Sequence, residues 1–425
     1  MEFDVEYVRR QFPALERSID GHPAAYLDGP GGTQVPRRVV DAVAGYLIDH
    51  NANTHGVFAT SEESDAILDH AHHAAADFLG CDADEVSYGA NMTTLTLLLA
   101  QAVRRELQAG DEILVTQLDH EANRGPWDQL TDHGVVIREA PVDLATCTID
   151  WDALEGLVGE RTKVVAVGYA SNAVGTVNDV RRAAVAAKRV GALSVIDSVH
   201  YALHGPIDVR DIDCDVLLCS AYKFFGPHVG IMYVRRSVSE RLRPLKLRAQ
   251  EDAPPFKWET GTLNHEGMAG AGEAIEFIAD LGRHHGAFVE ERAPGRLAGL
   301  SGRRRDIVAG MIATELYEQP LAQRLIEGLE AIAGVTVYGP PPGHARTSTV
   351  SFTVDGWNAQ EVARVLGRKG LFVWDGDFYA MRLVELLGLG DRGGLVRVGL
   401  APYNTAAEVE RVVAAVAGLA GERRL

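Results

Sequence analysis

Between Glu85 and Val234, short apolar runs alternate with helical stretches. EVSYG precedes TLTLLLAQAV, DEILVTQ precedes a helical stretch, and VVIREAPV follows it. TKVVAVGYA leads into the Ala- and Arg-rich RRAAVAAKRVG and then ALSVIDS, and DVLLCSA and VGIMYVR close the region. Runs this uniformly apolar are strands buried on both faces. Their alternation with helices predicts an α/β fold with a parallel sheet covered on both sides. Such sheets bind ligands beyond the carboxyl ends of their strands, so chemistry is expected in the residues that follow each run.

After about Gly286 the pattern changes. Helical sequence from His285 to Ala333 carries the basic run SGRRRD, read as a solvated face. Then follow the strand GVTVYG, the exposed loop GPPPGH, the strand TSTVSFTV, the helix AQEVARVLGRKG, the strand LFVWDG, another helix, the strand VRVGLAP and a last amphipathic helix. Fewer strands at hairpin-like spacing predict a smaller α+β unit. The expected division is a segment 1–30 packing on the small domain, a large domain 31–285 and the small domain 286–425.

Composition narrows the class without changing that picture. The chain has 425 residues, 46% hydrophobic and 24% charged, an ordinary globular balance that excludes disorder, collagen and coiled coil. No apolar run approaches the ~20 residues needed to span a bilayer, and MEFDVEYVRRQF has no signal-peptide core. A net charge of −18 disfavours a nucleic-acid or anionic-membrane surface. The four cysteines, Cys81, Cys147, Cys214 and Cys219, form no CxxC pair, which argues against a disulfide framework or zinc site. A soluble, acidic, cytoplasmic protein is expected.

Three strand ends carry unusual groups. ALSVIDSVH leaves Asp197 where a buried strand stops, and an unpaired carboxylate there is costly. DVLLCSAYK ends in Ser220 and then Lys223, a lysine leaving the interior with a pKa open to depression. EVSYGANMTT opens a helix with small polar residues and free backbone N–H groups suited to an anion. An acid, an amine and an anion site at neighbouring strand ends suit pyridoxal phosphate: the lysine forms the Schiff base, the aspartate keeps the pyridine nitrogen protonated, and the helix N-terminus holds the phosphate. An aspartate and a pyridinium about 3 Å apart attract by roughly 5 kcal/mol at an effective dielectric near 20, enough to keep the ring protonated after partial desolvation.

Longer stretches point the same way. YLDGPGGTQVP, LDHEANRGPW, SNAVGTVN, IDSVHYALHGPIDV, SAYKFFGPHVGIMYV, WETGTLN and LAPYNTAAEVERV run in order over about residues 26–413. Together they resemble the class V, fold type I pyridoxal-phosphate enzymes of the cysteine desulfurase-like and isopenicillin-N-epimerase-like group. The resemblance implies a fold type I transferase architecture: a large domain with a mostly parallel central sheet, and a smaller α+β domain built from both termini. It also implies a homodimer with shared active sites. It assigns Lys223 to the Schiff base and proton transfer, Asp197 to the pyridine nitrogen, and His120 to stacking on the ring. Asn172 would stand near the ring's phenolic oxygen and the substrate carboxylate, His200, where desulfurases usually have Gln, would reach the same oxygen, and Tyr379 would join the substrate-binding residues. Met92 (by its backbone), Thr93, Ser220 and Tyr222 would hold the phosphate, helped by Thr262 from the other subunit. Arg397 would grip the substrate carboxylate with its planar fork, and Gly31, Gly32 and Thr33 would line the entrance.

Other motifs are read plainly. The His-rich DHAHHAAADF places His70 and His73 near Asp69 on what is read as a solvated helix face, with no metal, and GPGGT is not a dinucleotide fingerprint.

The resemblance breaks at one place. Desulfurases carry a cysteine on a mobile loop to accept sulfur, and the matching segment LFVWDGDFYAMRLV has none. Tyr379 stands near that position, with Trp374, Asp375 and Asp377 in place of the usual basic and histidine residues. A phenol cannot form a persulfide. The expected activity is therefore β-elimination at the C–S bond of cysteine or an S-substituted cysteine. An epimerase, aminotransferase or decarboxylating enzyme on another amino acid stays open, as do a true desulfurase and a catalytically silent scaffold.

Overall fold

The seven apolar runs pair into one sheet in the computed structural model, which describes residues 2–421. In chain order they are β1 (Val86–Gly89), β2 (Glu112–Thr116), β3 (Val136–Ala140), β4 (Thr162–Gly168), β5 (Leu193–Asp197), β6 (Val216–Ser220) and β7 (Gly230–Val234). Their spatial order is β1-β7-β6-β5-β4-β2-β3. Every residue of β2, β5, β6 and β7 is buried, as uniformly apolar runs require. The edge strand β3 instead alternates exposed and covered positions.

All neighbours are parallel except β7, which runs antiparallel to both β6 and β1. The reason is chain length. A parallel return needs a crossover of a dozen or more residues, whereas only residues 221–229 link β6 to β7. The chain therefore turns straight back, and this short link, which contains Lys223, stays at the edge where the parallel strands end.

Helices cover the sheet: α1 (Ala59–Leu79), α2 (Met92–Arg104), α3 (Glu121–Asp128) and α4 (Val180–Arg189). In α4 the Asp179 side chain caps the Arg182 N–H, and the alanines at 183, 184, 186 and 187 are buried. Lys188 and Arg189 sit where the helix dipole favours cations.

The long helices α5 (His265–Arg292) and α6 (Gly302–Glu330) pack along one another. The sequence reading started helical structure only at 285, some 20 residues late, because the glycine-rich EGMAGAGEA reads as a poor helix former. Close packing explains two of the glycines further on. A Cβ on Gly282 would lie 1.8 Å from the Asp306 carbonyl oxygen, and one on Gly310 would lie 2.1 Å from that of Ile278.

A second sheet holds β8 (Val335–Tyr338), β9 (Thr349–Val354), β10 (Trp374–Gly376) and β11 (Leu395–Gly399) in the antiparallel order β8-β9-β11-β10. Its core joins Val350, Phe352, Val396 and Val398 to α7 (Ala359–Arg368), α8 (Ala406–Gly421) and the last turns of α6. The run LFVWDG divides: Leu371–Phe372 pairs with Ala25–Tyr26, and only Trp374–Gly376 joins the second sheet. At the N-terminus Phe3 stacks on His285 and Tyr317, and Arg9 bonds Glu408 of α8. No helix among the described residues is long and apolar enough to cross a membrane.

Candidate active site

The carboxyl ends of β1, β6, β5, β4 and β2 lie side by side, and the loops beyond them enclose a cavity of about 550 Å³. It is lined by Met92, Thr93, His120, Asn172, Asp197, His200, Ser220, Tyr222 and Lys223. Nine of the residues singled out from sequence thus meet in one place. A wider outer cavity of about 890 Å³ shares Thr93, His120, Asn172, Tyr222 and Lys223 with it and adds Arg397, Pro30, Gly31 and the segment 374–379.

Asp197 is the last residue of β5 and is buried. Burial pushes its carboxyl up to about 7, against the pull of the Val199 N–H and with help from the Asp119 charge. That N–H donates to Oδ1 at 2.9 Å, which leaves Oδ2 without a partner among the described residues. Lys223 leaves the tight turn after β6, and its Nζ donates to the Pro30 carbonyl. Burial, and then the charge of Arg397, bring its pKa down to about 7 although Asp197 and Asp28 oppose.

His120 caps α3, its Nδ1 accepting from the Ala122 N–H at 2.9 Å. Burial, with the charges of Lys223 and Arg397, lowers it to about 4, so the imidazole is neutral at pH 7. His200 is buried and held well below its ordinary pKa by that burial. Its Nε2 lies 3.1 Å from Thr347 Oγ1 and 2.9 Å from Thr349 Oγ1.

The start of α2 forms an anion-holding corner. Asn91 caps the Thr94 N–H, the Met92 N–H donates to Ser220 Oγ at 3.0 Å, and the Thr93 N–H has no partner among the described residues. The Tyr222 ring stacks on His228, with centroids 4.9 Å apart. Backbones meet closely here, since a Cβ on Gly230 would lie 2.4 Å from the Asn91 carbonyl carbon.

Arg397 comes from the second sheet and is only 4% exposed. Its Nη1 donates to the Asn172 carbonyl at 2.9 Å, the guanidinium lies 4.1 Å from the Phe378 ring centroid, and Nε has no partner. Burial lowers its pKa to about 9, so it stays a cation. Asn172 Nδ2 donates to the Phe378 carbonyl at 2.8 Å, tying the floor of the site to the 374–379 segment. Tyr379 is 67% exposed at the outer rim, 5.5 Å from the His120 ring.

Three sequence-derived positions fall elsewhere in this chain. Thr262 lines a separate cavity with His55, Glu259 and His265. Gly32 packs against Tyr222, and Thr33 Oγ1 accepts the Phe225 N–H at 2.7 Å, so Pro30 and Gly31 are the ones facing the outer cavity. The helix-face reading of the His-rich stretch meets ordinary surface contacts: His73 bonds the Asp69 carbonyl, and His70 lies 3.7 Å from Glu276.

Two acids were passed over. Asp119 is buried and clamps the loop before His120, accepting from the Thr116 N–H at 2.6 Å, the Gly168 N–H at 2.7 Å and Asn123 Nδ2 at 3.2 Å. Asp28 bridges Gly399, so it shares a face with Arg397 two residues away. Its Oδ1 is buried without a partner, and burial lifts its pKa to about 6. The visible signal for both was an acid ending an apolar run, in ILVTQLD and YLD, the same signal that picked out Asp197.

Comparison with known proteins follows this geometry. The family description "Aminotransferase class-V" matches residues 25–298 and 307–412. A cysteine desulfurase of Pectobacterium atrosepticum is 30% identical over 431 aligned residues, covering 97% of each chain. One of Yersinia pestis is 29% identical over 97% of this chain and 98% of its own. Among solved structures, the apo cysteine desulfurase of Thermococcus onnurineus superposes with a TM-score of 0.85 at 25% identity over 99% of both chains. A cysteine desulfurase of Escherichia coli gives 0.83 at 26% over the whole of both.

Proposed function

This chain belongs to the aminotransferase class-V family, as a pyridoxal-phosphate-dependent enzyme of the cysteine desulfurase-like group, and on that footing we propose that it cleaves a C–S bond by β-elimination. The substrate is cysteine or an S-substituted cysteine, and the products are a keto acid, ammonia and a thiol. One observation carries the reading: the cavity gathers an amine, an acid and an imidazole, yet none of the four cysteines lines it. Cys147, Cys214 and Cys219 are buried, and burial raises all three thiols above their usual range. Transfer of sulfur to the protein needs a reachable thiolate.

Pyridoxal phosphate fits the donors present. The open Oδ2 of Asp197 suits a protonated ring nitrogen, and the unpaired Thr93 amide with the hydroxyls of Thr93, Ser220 and Tyr222 suits a phosphate. His120 would hold one face of the cofactor ring, and Asn172 and His200 would serve its phenolic oxygen, His200 through Nδ1 because Nε2 is taken by threonine hydroxyls. Bound there, the cofactor supplies an electron sink for the pair left when a Cα–H bond breaks.

The chain's own groups do the rest. Lys223 would hold the cofactor aldehyde, and with a pKa about 7 a large share of its amine is neutral and nucleophilic near that pH. Arg397, which lines the outer cavity and keeps its charge, takes the substrate carboxylate, which fixes the direction of the Cα–H bond. With its amine free, Lys223 would take the Cα proton. The Cβ–S bond then breaks with its electron pair staying on sulfur, and Lys223 returns the proton to the leaving thiolate. Water hydrolyses the released enamine to keto acid and ammonium.

The working unit in this reading is a cytoplasmic homodimer in which each chain's Thr262 serves the other chain's phosphate site. Its place in a separate cavity of the single chain supports that arrangement.

The test is product analysis of the cofactor-loaded protein with L-cysteine and several S-substituted cysteines. Keto acid and ammonia in equal amounts, with the intact thiol released, is the expected result. Failure of every sulfur compound to turn over would replace elimination with epimerisation, transamination or decarboxylation of another amino acid.

A further inference from the structure

We propose that the outer cavity selects amino acids whose side chain ends in a cation. The inference rests on the reading above for one thing only, the anchoring of the substrate's carboxylate on Arg397 and of its amine at Lys223.

Lys223 stands on the floor the two cavities share and Arg397 lines the outer one alone, where it is a built anchor: buried, a cation, and with Nε unmatched among the described residues. A substrate held by both has its remaining atoms directed outward into about 890 Å³, far more room than a thiol fills. The walls it then meets are Trp374, 52% exposed, Tyr379, 67% exposed, and the carboxylates of Glu121, Asp375 and Asp377.

Those carboxylates are not neutralised by the protein. Glu121 and Asp375 have no hydrogen-bond or ion-pair partner for their side chains among the described residues, and Asp377 accepts only the Tyr379 N–H. The nearest arginines are engaged elsewhere: Arg124 with Glu139 and Asp128, Arg382 with Glu139 and Glu385. With Arg397 and Lys223 committed to the substrate backbone, Asp375 and Asp377 face the side chain without an ion-pair partner among the described residues, and Glu121 beside them feels only the charge of an already engaged Arg124.

The segment that presents them is fixed rather than loose. Phe378 and Tyr379 both have positive φ, 57° and 59°, a conformation that costs a bulky residue about 1 kcal/mol or more and persists only where contacts enforce it. Here Asn172 Nδ2 donates to the Phe378 carbonyl, the Glu121 N–H donates to the Tyr379 carbonyl, and Asp377 takes the Tyr379 N–H. Aromatic faces beside unpaired carboxylates attract a cation through both charge and ring quadrupole. A neutral chain gains apolar contact alone, and an anionic one is repelled.

L-lysine, L-norleucine and L-2-aminoadipate are similar in length and differ at the tip. None has a leaving group at Cβ, so their dissociation constants, measured on the holoenzyme by calorimetry, report binding whether or not C–S elimination is the reaction. The expected order is lysine about tenfold tighter than norleucine, with aminoadipate weakest. In Asp375→Asn combined with Asp377→Asn, the ratio of lysine to norleucine affinity falls to within about twofold of unity. Equal affinities in the native protein would overturn the proposal, as would a lysine preference that survives both substitutions, or failure of all three to bind. A lysine preference in a protein that cleaves no C–S bond would overturn elimination and support the cation site.

Discussion

In the proposed mechanism the chemistry turns on Lys223, and its energetics set two expectations. Lys223→Ala removes both the aldehyde's partner and the base at Cα, so turnover should fall at least ~10³-fold while the phosphate corner still binds cofactor. A steady-state assay paired with a cofactor titration reads both. The second concerns stability. Its pKa drops from 10.5 to about 7 on folding, so the unfolded chain binds more protons across that window. The penalty for the buried ammonium is complete below about 7 and is relieved as pH rises towards 10.5. That difference corresponds to about 5 kcal/mol. Lys223→Met should therefore stabilise the cofactor-free protein most at pH 6.5 and least at pH 10, as melting curves at the two values will show. Arg397→Ala should raise KM for the amino-acid substrate at least ~10-fold with a smaller change in kcat. Of these residues, Lys223 and Asp197 were legible because each stands where an apolar run meets a polar group, whereas Arg397 came from the family resemblance alone. Asp28 and Asp119 carry the same mark, but their importance lies in contacts with Gly399, Gly168 and Asn123, which are distant in sequence or hidden by the fold.

At the scale of elements, the site depends on where strands stop and how the chain returns. The central strands of the first sheet were readable because uniform burial leaves uniform apolarity, whereas the division of LFVWDG between two sheets was not. The reversal of β7 was not read, since it follows from the length of the 221–229 link rather than from any hydrophobic pattern. The start of α5 was hidden because its glycines lower helix propensity for the sake of close packing. That trade predicts a measurable cost. Gly310→Ala forces a methyl against the Ile278 carbonyl, an overpacking worth about 1–3 kcal/mol or more, and should lower the melting temperature by several degrees. At Gly230 the same change acts on the site, because its Cβ would push the Asn91 backbone that opens α2. Gly230→Ala should weaken cofactor binding, as a titration of the apo protein with pyridoxal phosphate will record.

On the scale of the whole molecule, the groups proposed for catalysis are divided between two sheets. The first supplies Asp197, His120 and Lys223, and the second supplies Arg397 and the rim around Tyr379. Asn172 joins them, giving its carbonyl to Arg397 and its amide to Phe378. The α/β architecture and its sequence resemblance located this junction, but which groups bridge it depends on long-range packing that no local pattern carries. The central claim is that carbon–sulfur cleavage proceeds here without a sulfur-carrying cysteine, and L-cysteine labelled with ¹³C at Cβ tests it in one experiment. After incubation with the holoenzyme, the carbon spectrum should show the label in the methyl group of pyruvate, with free sulfide in solution. Label in the methyl group of alanine, with sulfur bound to the protein, would contradict the account.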